Sequence, residues 1–103
     1  MATVTFRDET PTGKQLTERK LTGLPDRMTV RELIALRVRE EATRHNAHPV
    51  DAARRTEVAE HAFLTNGFFV LSGGHQLETL DDVVDLTPDP TLIFIKLVAL
   101  VGG

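Results

Sequence analysis

The chain has 103 residues, 41% of them hydrophobic and 26% charged, with a formal net charge of −3, enough for one modest core and a single domain at 1–103. It has no cysteine, which excludes disulfides, thiol chemistry and thiolate metal sites, and its mild acidity without any block of like charge argues against nucleic acid as a partner. No run approaches the roughly 18 apolar residues of a membrane span and no signal peptide is visible in "MATVTFRDE", so a cytoplasmic protein with no membrane partner is expected.

The first element is "TVTFRD", where Val4 and Phe6 point one way and Thr3, Thr5 and Arg7 the other, the pattern of a half-buried strand. Thr, Pro and Gly between Glu9 and Lys14 supply a hairpin turn. A second strand follows over "KQLTERKL"; Leu16 and Leu21 differ by an odd step, which predicts a bulge or an early exit. "TGLPDRM" reads as a loop. Thr29 and Glu32 then form a capping box that opens a helix running to Asn46. Val30, Leu33, Ile34 and Val38 make its apolar face, while Arg37 and Glu41 intrude and predict less burial in its later turns.

From His48 to Leu64 the chain is rich in alanine and charge. Pro49 suits a first helical position, but the apolar face is poor. Residues 47–65 therefore read as a short helix or a loose insertion outside the core, ended by "TNG". "FFVLS" is a strand, Gly73-Gly74 a tight turn leading to a short strand at His75–Glu78, and "DVVDL" a helical turn. "TLIFIKLV" is the last strand, apolar enough on both sides to be central. A hairpin, a helix, and a return that ends in a long apolar strand describe an α+β chain of the β-grasp kind. The sheet is mixed, one principal helix crosses it, and the last strand lies beside the first.

The residues that complete this picture carry a resemblance. "TPTGK" (Thr10 to Lys14) resembles the first hairpin turn of ubiquitin, "GHQLETLDDVVDL" its later turn region, and "TL…LVALVGG" its final strand and diglycine tail, in the same order and at similar spacing. "TVRELIALR" and the apolar tail also resemble the sulfur-carrier proteins of thiamine and molybdopterin synthesis. The resemblance implies a carried protein and no enzyme. An activating enzyme adenylates the carboxylate of Gly103 with ATP, a conjugating enzyme passes it to an amine of a target protein, and a deconjugating peptidase reverses the step. Bacterial operons of this type encode those partners beside the modifier, and some serve phage defence. Two alternatives stay open: a sulfur carrier ending in a thiocarboxylate, and a non-conjugated interaction module. No cofactor is implied.

A physical reason for Gly102 and Gly103 stands apart from the resemblance. A backbone that threads a narrow channel benefits from having no Cβ and a wide choice of φ and ψ. The seven residues after Lys96 could extend about 23 Å, and a tail mobile from Val98 onward is expected, because little offsets the entropy of ordering it. The resemblance also has departures. Ala99 and Val101 stand where ubiquitin has arginines, so the tail cannot make the charge-assisted bonds those arginines make. His75 stands at its principal chain-forming lysine, which leaves Lys14, Lys20 and Lys96 as acceptors.

Alignment with the family places Leu71 in ubiquitin's recognition patch. Alternation sets Ile93 and Ile95 on the last-strand face opposite Leu92 and Phe94, so Leu71, Ile93 and Ile95 are expected to form an exposed partner-binding cluster. Val98 and Leu100 extend it along the tail. His45, His48, His61 and His75 lack a matching carboxylate pattern and read as solvated residues, with no metal site. Gly73-Gly74 is followed by no Lys-Ser/Thr, so it reads as a turn and not a phosphate loop. Asp81, Asp82 and Asp85 read as acidic residues at the start of a helical turn, and Arg54 and Arg55 as a solvated face, with partner recognition as the alternative.

Overall fold

The structure, a computed structural model, describes residues 1–44 and 49–96. Strand β1 (Ala2–Glu9) buries Ala2, Val4 and Phe6 and leaves the alternate residues half-buried, as its period of two dictates. Pro11 and Thr12 make the turn, and Gly13, at φ +90°, takes the left-handed position that closes a three-residue hairpin loop. The Thr10 hydroxyl accepts from the Lys14 amide at 3.0 Å.

β2 (Gln15–Leu24) returns antiparallel to β1 with two bulges. One falls at Leu16, as its odd spacing predicts, and leaves that side chain exposed. The other falls at Thr22-Gly23, where Gly23 has φ +71°.

The segment read as a loop after Leu21 is strand instead. β2 continues to Leu24, and β3 (Arg27–Thr29) pairs antiparallel with β6 (Val83–Asp85), the segment read as a helical turn. Val83 and Val84 favour the pleated geometry, and Met28 and Val84 both enter the core. The turn lies one step earlier, where the Asp82 amide donates to the Thr79 carbonyl.

This ribbon abuts the start of helix α1 (Val30–Arg44). The amides of Val30 and Arg31 donate to the carbonyls of Asp82 and Leu80 at 2.9 and 3.0 Å. The capping box forms as read. The Glu32 amide donates to the Thr29 hydroxyl at 3.1 Å, and the Glu32 carboxylate accepts from the Thr29 amide at 2.9 Å. Three first-turn donors that would otherwise be orphaned are thereby satisfied.

Helix α2 (Pro49–Leu64) fills the span read as a helix or loose insertion, but it does not lie outside the core. Phe63 is 6% exposed, and its ring sits 5.9 Å from that of Phe68. α2 also packs against α1, and Val38 and Ala42 in the later turns of α1 are buried despite the intrusion of Arg37 and Glu41. The helix ends in a Schellman motif. Asn66 adopts φ +62°, the Gly67 amide donates to the Ala62 carbonyl at 2.6 Å, and the Asn66 amide donates to the Phe63 carbonyl at 3.3 Å. The expected end of α1 at Asn46 lies outside the described residues.

β4 (Phe68–Ser72) and β5 (His75–Leu77) form a hairpin through Gly73-Gly74, both at positive φ, the two-residue turn the sequence reads there. β7 (Thr91–Lys96) runs parallel to β1 and antiparallel to β4, so the sheet order is β2-β1-β7-β4-β5 and the last strand is central. Among the described residues the architecture is α+β, a mixed five-stranded sheet with two helices. Its core joins Val4, Leu92 and Val70 of the sheet to Val30, Leu33 and Ile34 of α1. Phe6 and Phe94 meet edge-to-face at 5.4 Å inside it.

Candidate recognition surface

The sheet has two faces, and the core claims one. On β7, Leu92 and Phe94 point inward while Ile93 and Ile95 point outward. Cross-strand register fixes what surrounds them. Leu71 lies opposite Ile93 and Phe69 opposite Ile95 on one side, with Arg7 and Glu9 opposite the same two isoleucines on the other. The result is an apolar block of Phe69, Leu71, Ile93 and Ile95 on the outer face, none of it part of the core cluster.

Each of the four is half-buried, because directly opposed side chains shield one another. The expected cluster of Leu71, Ile93 and Ile95 is thus brought together, though less exposed than isolated apolar residues on an open face. Phe69 joins it without having been singled out. The signal was present: of two adjacent residues in a strand one must face outward, so "FF" commits one ring to this face.

Charge borders the block on one flank. Arg7 Nη2 is 2.8 Å from Glu18 Oε2, and Arg7 Nη1 is 3.8 Å from Glu9 Oε2. Gln76, opposite Leu71, borders the other flank. An apolar centre with a polar margin suits a surface that another protein covers.

The three candidate acceptor lysines do not converge. Lys14 ends the first hairpin turn, Lys20 lies opposite Thr5 on β2, and Lys96 ends β7; all are exposed. Val98, Leu100, Gly102 and Gly103, together with the expected mobile tail, lie outside the described residues.

The aspartates read as a helical-turn cluster serve three separate structural roles. Asp82 accepts from the amides of Thr79 and Glu78 at 3.2 and 3.3 Å, and bonding with Thr79 holds its carboxyl below the usual aspartate value. Asp85 accepts from the Thr87 amide at 3.0 Å and hydroxyl at 2.7 Å, which lowers its pKa likewise. Asp81 pairs with Arg31 at 2.7 Å. Among the described residues no three histidines or carboxylates converge as metal ligands, and no helix is long and apolar enough to cross a membrane.

Comparison with protein-family models, curated proteins and solved structures finds no match to this chain.

Proposed function

We propose that this chain is a ubiquitin-like protein modifier of the β-grasp fold. In this reading an activating enzyme adenylates it with ATP at Gly103, a conjugating enzyme joins it to an amine of a target protein, and a peptidase can remove it. The observation that carries the reading is the topology. The last strand, β7, lies in the centre of the sheet, parallel to the first, between β1 and β4. A diglycine then follows the end of that strand at positions 102 and 103. This is the arrangement the resemblance to ubiquitin implies, and the outer block of Phe69, Leu71, Ile93 and Ile95 supplies a surface for partner enzymes to read. The chain is a carried group in this account and contributes no nucleophile or base. It acts in the cytoplasm, and a place in a bacterial defence operon is part of the proposal.

A sulfur carrier is the second reading. The observation that favours it is the uncharged tail, with Ala99 and Val101 where ubiquitin has arginines. One experiment separates the readings. The protein is incubated with the activating enzyme encoded beside it and ATP, and Gly103 is followed by mass spectrometry. An adenylate that proceeds to an isopeptide supports the modifier, and replacement of an oxygen by sulfur supports the carrier. Full cellular activity after deletion of Gly102 and Gly103 would leave only an interaction module.

A further inference from the structure

Between the helix pair and the end of β7 lies an open cavity of about 590 Å³. Its walls are apolar: Val38 from α1, Val58 and Ala59 from α2, Phe68 and Phe94 from the sheet. Val58, on its lip, is 64% exposed, an apolar side chain that the fold itself leaves uncovered.

The rim is basic. Arg54 and Arg55 stand one helical turn before Val58 on the same surface of α2, and Lys96 faces them from β7. Among the described residues none of these three cations has an ion-pair partner. Arg37, which also lines the cavity, is engaged by Asp8 and Glu41, and among the described residues Glu41 is the single carboxylate of the lining. A net positive opening thus sits on a chain whose net charge is −3.

We propose that this cavity docks a short apolar segment of a partner protein that carries acidic side chains. Its apolar residues enter between α1 and α2, and its carboxylates meet Arg54, Arg55 and Lys96. Charge complementarity selects the acidic partner, and a volume within the usual range of roughly 300–1,000 Å³ for ligand sites admits a few side chains. The apolarity of the walls disfavours a nucleic acid, which would need exposed aromatic rings or a broad basic surface. This surface is on the helix side of the sheet and depends neither on Gly103 nor on the outer apolar block.

The test uses the full chain and a fluorescein-labelled peptide with a central Leu-Leu-Phe block flanked by aspartates, read by anisotropy and by ¹⁵N amide shifts. The wild-type chain should bind, with shift changes centred on Val38, Val58, Ala59 and Phe68. Arg54→Glu with Arg55→Glu should weaken binding about tenfold or more, and higher salt should weaken it as well. Both arginines are exposed, so unchanged amide dispersion elsewhere verifies that the variant folds. Val58→Asp should also abolish binding. Equal affinity for a lysine-flanked peptide, shifts on the outer sheet face instead, or no binding at all would overturn the proposal. So would binding that appears only once residues 97–103 are deleted, since the chain's own tail would then be the occupant.

Discussion

Arg37 holds three partners at once. Its Nη1 and Nη2 each lie 2.6 Å from an oxygen of Asp8, Nη2 also donates to Glu41 at 2.9 Å, and the guanidinium sits 4.5 Å above the Phe94 ring. Asp8 shares the inward parity of Val4 and Phe6, so its carboxylate is turned toward the helix and needs this cation. Its Oδ1 has no well-directed hydrogen bond and rests on the ionic contact with Arg37 Nη1. With side-chain exposures of 13% and 16% the pair is mostly desolvated. Arg37→Ala should therefore cost about 2–3 kcal/mol, because it removes the counter-charge of a mostly desolvated carboxylate that otherwise keeps the Thr17 hydroxyl, 3.1 Å from Oδ2. The Asp8→Ala, Arg37→Ala double variant should recover part of that, with a coupling of about 1–3 kcal/mol in urea denaturation. At the helix start, Thr29→Ala should cost about 1 kcal/mol through loss of the cap. Acid should act on the same structures. Hydrogen bonds to Thr29 hold Glu32 below its ordinary value of 4.5, and those to Thr79 and Thr87 hold Asp82 and Asp85 below 3.8. A depressed folded value means that the stabilisation is complete above those ordinary values and is lost as pH falls through the lower folded ones. The melting temperature should hold from pH 7 to about pH 5 and fall below about pH 4. Glu32→Gln, whose amide oxygen can still accept in the capping box, should shrink the acid-induced drop while leaving the neutral melting temperature nearly unchanged.

At the scale of elements, legibility followed the length and strength of local signals. β1, α1 and β7 each repeat their period several times, and the capping box at Thr29 and the turn glycines at 13, 73 and 74 mark their boundaries, so these were readable in advance. β3 and β6 are three residues each. Such strands exist because they pair with each other across more than fifty residues of chain, a relation with no local signature, and "DVVDL" suits a turn equally well. The placement of α2 was hidden for a related reason. Its apolar face is poor, and Phe63 near its end anchors it to Phe68 and, through that ring, to Phe94. Leu71, Ile93 and Ile95 could be assigned to one face by alternation, whereas the walls of the helix-side cavity come from elements far apart in sequence. Phe63→Ala should destabilise the protein by about 3 kcal/mol, within the range for truncating a buried aromatic, and amide exchange should quicken most along α2. Unchanged exchange along α2 would show that something other than Phe63 holds that helix.

For the whole molecule, the division of labour between two sheet faces makes a separable prediction. The helix-side face is spent on the core, so truncation there costs fold, whereas the outer block of Phe69, Leu71, Ile93 and Ile95 is half-buried and lies outside the core cluster. Leu71→Ala should thus cost only about 1 kcal/mol, less than for a fully buried leucine because part of its surface is already in water. If partner enzymes read this face, the loss of contact should exceed the loss of stability. A central apolar residue of an interface commonly contributes more than 1 kcal/mol to binding. Leu71→Ala together with Phe69→Ala should accordingly leave adenylation at Gly103 detectable while lowering transfer to the target about tenfold or more. Deletion of Gly102 and Gly103 should instead leave urea stability unchanged, since neither glycine has a side chain to bury, and remove both adenylation and transfer. Measuring adenylate by mass spectrometry and conjugate by gel shift on the same samples separates the two effects. Equal loss of both signals in the Phe69, Leu71 variant, at a stability still well above unfolding, would mean that the activating enzyme itself docks on the outer face. Normal conjugation by that variant would remove the outer face from recognition.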